Sequence, residues 1–487
     1  MLPNPSCRGI TRASLLVLAL VAAAVSGCGR DERMVAAVRT EIRSDLKRRD
    51  LPADAAWRDR RTRKLLGVFY AERKMEPAWT DGRGMNGQAK DFAALVARAE
   101  EEGLEPEHYS AAALRQRLEE PPADAKELAE ADLLYSIAAL HYMNDVFDGR
   151  ISPRALDAAW VTTPRKGDLD SVLTDALAKN RVADAMKDLA PTTEQYVKLR
   201  RARADLARDV ASGADSSEFA RARLRQVELN MERWRWMPRT LGERYLVVNI
   251  PEYLLRVVED GRPALDMKVV VGKEASKTPV FSDHLTHVVI NPDWSVPEGI
   301  TASEIAPAMQ RDPSHLSRQR MRAFVDGEEV DGESVDWSDA EQVAQVSVRQ
   351  DPGEGNALGR IKFMFPNRFN VYLHGTPAEH LFAREERGFS HGCVRVEDPL
   401  RLATHLLAGV PGGTANEIEA QIEGGRTKTI DLPRPMPVHL VYFTAFVDEK
   451  GAPGFREDVY GIDADLSREL RGLERAQARQ QSRASAR

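Results

Sequence analysis

The sequence changes texture at Arg244, and that change limits the fold more than any other feature. From about residue 33 to 205 the chain is rich in Ala, Leu, Glu, Arg and Asp and has few β-branched runs, which predicts an all-helical domain. Leu133, Leu134, Ile137, Ala138, Leu140 and His141 give one broad apolar helical face, and Ser171, Val172, Leu173, Ala176 and Leu177 suggest another. Breakers fall between the helices at Asp81-Gly82-Arg83-Gly84, Pro121-Pro122, Asp148-Gly149 and Pro191. Residues 192 to 233 continue as a charged helical stretch, broken only at Ser212-Gly213. The two tryptophans of Glu232-Arg233-Trp234-Arg235-Trp236-Met237-Pro238 stand at alternate positions, which suggests an extended segment packed between domains.

After Arg244 the pattern is β-rich. Tyr245 to Asn249, Leu254 to Val258, Met267 to Val271, His287 to Ile290, Ile361 to Phe365, Val371 to His374 and His439 to Phe446 read as strands. Residues 298 to 358 are polar and mixed, as an insertion between strands would be. Asp398 as N-cap, Pro399 at the first helical position and Gly409 at the stop bracket a helix with Leu402, Leu406 and Leu407 inward. Pro433, Pro435 and Pro437 argue for a sheet edge before the last strand. The tail repeats arginine every fourth residue (Arg471, Arg475, Arg479, Arg483, Arg487), which reads as a solvated, frayed basic segment.

With 43% hydrophobic and 30% charged residues, the chain is too apolar for a disordered protein. A net charge of −6 argues against a general nucleic-acid binder. Only three cysteines are present, which excludes a disulfide framework. Two of them lie at the amino terminus. Arg8 and Arg12 precede the apolar run Leu15 to Val25, which ends in Val25-Ser26-Gly27-Cys28. Small residues before a cysteine resemble a bacterial lipobox. That resemblance implies a signal peptide over 1–27, which would carry Cys7 away, and lipidation of Cys28. With Gly29, not Asp, directly after Cys28, it further implies a periplasmic protein anchored to the outer membrane.

The third cysteine lies in Ser390-His391-Gly392-Cys393-Val394-Arg395, downstream of His374 in Val371-Tyr372-Leu373-His374-Gly375-Thr376-Pro377. A thiol becomes a strong nucleophile when an imidazole can take its proton. His374 closes a strand and Cys393 precedes a helix, so the fold can bring them together, and Gly392 would allow close approach of a substrate. The pair alone leaves other readings open: a cysteine protease, another acyltransferase, a zinc site from His374, His391 and Cys393, or a buried structural cysteine.

The full string resembles the signature of the L,D-transpeptidase, or YkuD-type, catalytic domain: a histidine, a spacer, then Ser-His-Gly-Cys and an aliphatic residue. Arg395 stands where the family often has Asn, as in the YcbB-like subgroup. The likeness to that subgroup extends to Glu232–Pro238, Thr278-Pro279-Val280-Phe281-Ser282, Asn291-Pro292-Asp293-Trp294 and Phe363-Met364-Phe365-Pro366-Asn367. In the helical region it takes in Pro77-Ala78-Trp79 and Asp148-Gly149-Arg150-Ile151-Ser152-Pro153, where it resembles the subgroup's scaffold domain.

The resemblance implies a helical scaffold domain (61–205), a helical connector (206–238), a β-rich catalytic domain (239–447) with a capping insertion at about 298–358, and a basic tail (448–487). A linker at 28–60 would precede them. It implies Cys393 as nucleophile, His374 as general base and acid, and the Gly375 carbonyl as the group that orients His374. Gly392 and Cys393 amides, with His391 as a further candidate, would form the oxyanion hole, and the His391 side chain is left between a cleft-lining and a structural role. Tyr372 is left between cleft and core, Arg395 between a stem carboxylate and a salt bridge, and Trp294 between a lid and core. Ser390 reads as a local hydrogen-bonding residue at the substrate cleft, and His380, His405 and His439 as structural.

The activity implied is formation of 3→3 cross-links in peptidoglycan, from a tetrapeptide donor to a neighbouring stem, with no cofactor or metal and with carbapenem sensitivity. Hydrolysis, or attachment or release of a wall-linked lipoprotein, could run on the same fold. A non-catalytic envelope tether is the reading from another class. Large relatives usually carry a small peptidoglycan-binding domain between scaffold and catalytic domain. Here only 192–233 lies between them, so glycan binding would fall to the cleft, the scaffold or a protein partner.

Overall fold

The computed structural model describes residues 13–48, 51–52, 60–156, 160–161 and 167–485. Cys7, Arg8, Arg12 and Arg487 lie outside them. Cys28 falls in the backbone of helix α1 (Ala13–Arg48), but its side chain lies outside the described residues. Among the described residues no helix is long and apolar enough to cross a membrane.

The part of α1 expected as linker is docked. Val38 and Ile42, four residues apart and therefore on one helical face, are fully buried in the scaffold core. Arg39 pairs with Glu76 at 2.8 Å on its flank. The centre of the scaffold is α2 (Ala125–Asp148), which is apolar nearly all round and buried on every side, as such a helix must be. Its Asp132 is wholly buried and accepts from Tyr70 Oη at 2.5 Å and from the Trp79 amide at 2.7 Å.

The scaffold is not purely helical. Its two-residue strand β1 (Trp160–Val161) pairs in parallel with Val280 and Phe281 of the sheet beyond Arg244.

Helix α3 (Glu194–Ser212) closes the scaffold, with Tyr196 and Leu199 in its core, and α4 (Glu218–Trp236) forms the connector, with Gly213 at φ +77 taking the left-handed turn between them. The tryptophan motif belongs to α4, so the expected extended segment is a helix. Residues two apart on a helix point nearly opposite ways. Trp234 accordingly stacks on Phe443 (4.4 Å) in the scaffold-side core, and Trp236 meets Trp160 edge-on (5.1 Å) in the sheet-side core. The alternate spacing serves two cores instead of one sheet face.

The strands beyond Arg244 are β2 (Arg244–Asn249), β3 (Leu254–Glu259), β4 (Arg262–Gly272), β5 (Val280–Ile290), β6 (Trp294–Val296), β7 (Met321–Val325), β8 (Glu328–Val330), β9 (Val346–Gln350), β10 (Ile361–Met364), β11 (Leu373–His374), β12 (Gly388–Ser390), β13 (Val394–Val396) and β14 (Lys428–Val441). The order β5-β10-β11-β13-β4-β3-β2-β14 returns to β5, so the sheet closes into a barrel, with β12 beside β4. The three prolines sit on the part of β14 that pairs with β5 alone. β2 joins only at Val438 to Val441, and the register with β5 shifts between Asp431 and Met436. The missing proline amides therefore cost no ladder bonds on the open side.

The insertion builds its own sheet, β6-β9-β7-β8, over a small core that includes Ile305, Met309 and Trp337. It thus begins at Trp294, slightly before the expected boundary. Helix α5 (Pro399–Leu406) starts as its punctuation predicts, with Asp398 accepting from the Arg401 amide at 2.9 Å. The basic tail is helix α6 (Ile462–Ser485), and its first turns are docked, not frayed: Leu466 and Leu470 are buried in the barrel-side core.

Candidate active site

Three adjacent barrel strands place the chemistry. On β11 and β13, which run parallel, Leu373 stands opposite Val394 and His374 opposite Arg395. On β10, antiparallel to β11, Lys362 stands opposite His374. Phe363, Leu373 and Val394 are fully buried in the barrel core. Strand alternation therefore turns Lys362, His374 and Arg395 to the outer wall. Tyr372 and Cys393 immediately precede β11 and β13, joined by the Val394 amide donating to the Tyr372 carbonyl at 3.1 Å. The strand that Cys393 leads into thus pairs with the strand that ends in His374.

His374 is buried, and its Nδ1 lies 2.6 Å from the Gly375 carbonyl. A carbonyl only accepts, so Nδ1 carries the proton and Nε2 is the basic nitrogen. Burial, reinforced by the positive charge of Arg395 and Lys362, pushes the imidazole pKa down to about 3. Cys393 is partly exposed, with Sγ 3.9 Å from the Asn370 carbonyl. Burial raises its thiol pKa, against the opposing pull of Tyr372, Lys362 and Arg395. Both groups are therefore neutral near pH 7.

The loop before Cys393 is tied from two sides. Ser390 Oγ accepts from the Gly392 amide at 3.1 Å and donates to the Cys393 carbonyl at 2.5 Å. Thr278 Oγ1 donates to the Gly392 carbonyl at 2.8 Å and accepts from the Gly272 amide at 2.8 Å. Gly392 holds φ +116, a conformation that disfavours any side chain. In this conformation the Gly392 amide is committed to Ser390, which removes it from the oxyanion role expected of it. Among the described residues the Cys393 amide donates to no protein acceptor, and it remains the donor suited to that role.

His391 lies at the rim. Its Nε2 is 2.7 Å from Glu304 Oε1 and 3.4 Å from Lys273 Nζ. Glu304 belongs to a π-helical turn of the insertion (Thr301–Ile305), so His391 links the loop to the lid-like insertion. The Tyr372 phenol reaches both Cys393 and Trp294 and packs edge-on to His374 at 5.7 Å. Tyr372 thereby stands between Cys393 and Trp294, while Trp294 also packs against the insertion core. Arg395 has no carboxylate within salt-bridge distance among the described residues, and its Nε is buried without a hydrogen-bond partner. His405 pairs with Glu259 at 3.0 Å, and His439 bonds Ser282 and the Leu241 carbonyl, both structural roles as expected.

Sequence reasoning did not single out Lys362, Thr278 or Glu304. Lys362 alternates with buried Ile361 and Phe363, a pattern that marks an outward-facing strand position. Glu304 acts from a distant π-helical turn that nothing local signals, and Thr278 opens a stretch that carries the family likeness without marking its hydroxyl.

One barrel wall thus carries a cysteine and a backbone-pinned histidine on paired strands, next to an inserted sheet and after a helical domain. Residues 243–415 match the family described as an L,D-transpeptidase catalytic domain, and residues 64–202 match that described as a scaffold domain. The chain thus combines a scaffold domain with a YkuD-type L,D-transpeptidase catalytic domain. A curated Haemophilus influenzae protein, whose L,D-transpeptidase name is itself an inference, is 28% identical over 404 residues, covering 83% of this chain and 79% of that protein. A solved L,D-transpeptidase from Mycobacterium smegmatis overlaps 41% of this chain and 58% of its own, at 14% identity and a TM-score of 0.20.

Proposed function

We propose that this protein is a peptidoglycan L,D-transpeptidase that forms 3→3 cross-links through a thioester on Cys393. The observation that carries the reading is that the strand led by Cys393 pairs with the strand ending in His374, whose Nδ1 proton is fixed on Gly375. Cys393 Sγ attacks the carbonyl of the third stem residue, meso-diaminopimelate in a diderm wall. As the C–S bond forms, the thiol proton passes to His374 Nε2. The amide C–N bond then breaks and that proton goes to the departing amine of the terminal D-Ala. Such proton transfer contributes about 10²–10⁴-fold in rate.

The side-chain amine of a neighbouring stem then attacks the thioester. It gives its proton to His374 and forms the cross-link, and the thiolate leaves and recovers that proton. The Cys393 amide supports the oxyanion in both steps, a donation worth about 10²–10³-fold. Arg395, Tyr372 and Trp294 line the stem-binding cleft, and Ser390 holds the loop beneath it. Water in place of the second amine would give tripeptide instead. The same thioester chemistry opens β-lactam rings of the carbapenem class.

We also propose that Cys28 is lipidated and holds the protein on the periplasmic face of the outer membrane. Between α3 and α4 no further module intervenes. Contact with glycan then falls to the cleft, the scaffold or a partner protein.

Incubation of the purified protein with tetrapeptide-stem muropeptides, followed by mass spectrometry, tests the reading. Cross-linked dimer supports it, tripeptide monomer alone reassigns the enzyme as a hydrolase, and no product overturns it.

A further inference from the structure

One row across three strands reads Lys362, His374, Arg395, so the buried imidazole is flanked by a cation on each side. Lys362 Nζ lies 3.9 Å from the centroid of the Tyr372 ring, a cation–π contact that holds the ammonium over the cleft. Neither cation has a carboxylate within salt-bridge distance among the described residues. The acids nearest in charge are engaged elsewhere: Asp293 lies 3.4 Å from Arg349, and Glu304 2.7 Å from His391. Half-buried charges without a counter-ion are costly, and the cost is relieved when a ligand supplies the anion.

We propose that Lys362 is a substrate-binding residue that grips a carboxylate of the donor stem peptide, together with Arg395, directly beside His374. The identity of the peptide rests on the transpeptidase reading. The division of labour follows from the two head groups. The guanidinium fork of Arg395 fixes the orientation of a carboxylate, and the ammonium of Lys362 supplies a point charge at its far side. Burial lowers the pKa of both cations, as expected for charges waiting for a partner. A bound carboxylate also offsets the positive field that depresses His374. Donor binding therefore makes the imidazole a better base at the moment it must accept the thiol proton.

The competing role for Lys362 is stabilisation of the Cys393 thiolate, and one pair of measurements separates the two. Binding is measured by calorimetry in a Cys393→Ala background, where no acylation can occur. The probes are a disaccharide-tetrapeptide with free carboxylates and the same compound with those groups as carboxamides. The free acid is expected to bind about 10-fold more tightly than the amide. Lys362→Met is expected to bring that ratio within about 2-fold, and Lys362→Arg to keep most of it.

With Cys393 present, Lys362→Met is expected to move the pH profile of iodoacetamide alkylation only slightly upward, by the loss of the ammonium's pull on the thiolate, so the acid-to-amide ratio decides between the two roles. Lys362→Gln, with thermal melting as a check on folding, serves if the Met variant is unstable. An unchanged acid-to-amide ratio in the variant overturns the proposal, as does a shifted alkylation profile with the ratio intact. Failure of both probes to bind overturns it too, while cross-linking by the wild-type enzyme is judged independently from its products.

Discussion

His374 donates its Nδ1 proton across 2.6 Å to the carbonyl of Gly375, its own chain neighbour. A backbone group thus does what a carboxylate does in many cysteine and serine enzymes. It fixes the tautomer without adding a full negative charge, and the Gly375 and Leu358 carbonyls offset only part of the burial and the two cations that hold the imidazole neutral.

The pH dependence of stability follows from that depression. The folded imidazole has a pKa of about 3, against an ordinary value of 6.5. Between those values the unfolded chain binds a proton that the folded chain refuses. The contribution is therefore complete above pH 6.5 and is lost as pH falls toward 3. Denaturant titrations at pH 7 and pH 4.5 are expected to show a smaller acid loss in His374→Asn than in wild type.

The thiol moves the other way. Burial raises the Cys393 pKa above its ordinary 9.0, so the free enzyme is a thiol at neutral pH. Alkylation of Cys393 by iodoacetamide is expected to be slow at pH 7 and to rise steadily through pH 9. A plateau beginning below pH 7 would reveal a preformed thiolate–imidazolium pair instead.

Ser390 shapes the loop without reacting. Ser390→Ala leaves the Gly392 amide and the Cys393 carbonyl without their partner. The expected cost is about 1–3 kcal/mol in stability. Misplacement of the thiol is expected to lower the acylation rate about 10²-fold, measured by stopped-flow with a carbapenem. Ser390→Thr, which retains the hydroxyl, is expected to recover most of both.

The junction of the two domains makes a separate prediction. Gly149 has φ +83, and a Cβ there would lie 2.6 Å from Trp236 Nε1 and 2.7 Å from Glu232 Oε1. Glu232 in turn accepts from the Ile151 amide at 3.1 Å and from Arg235 at 2.9 Å. Gly149→Ala is expected to destabilise the protein by about 1–3 kcal/mol through backbone strain alone, with the contacts adding to it. The melting temperature should fall while acylation by the folded fraction stays unchanged.

The sequence revealed what is local. The Cys393 and His374 motifs, the Asp398-Pro399 cap and the switch from helical to strand texture each rest on neighbouring residues, and each is found in the structure. What was missed depends on tertiary context. Trp234 and Trp236 carry the same alternation on a helix between two cores as on a strand. Val38 and Ile42 look like linker residues until α2 is there to cover them. The engagement of Gly392 by Ser390, and the row formed by Lys362 with His374, come from loop geometry and strand register, and no residue announces either alone.

The most direct measurement is intact-protein mass spectrometry after incubation with a tetrapeptide-stem donor and no acceptor. Wild type is expected to gain the mass of the donor less its terminal D-Ala, with the adduct mapped to Cys393. His374→Ala is expected to form it at least about 10²-fold more slowly. An adduct that persists in Cys393→Ala, or no adduct in wild type under conditions that yield cross-linked product, would contradict the thioester mechanism.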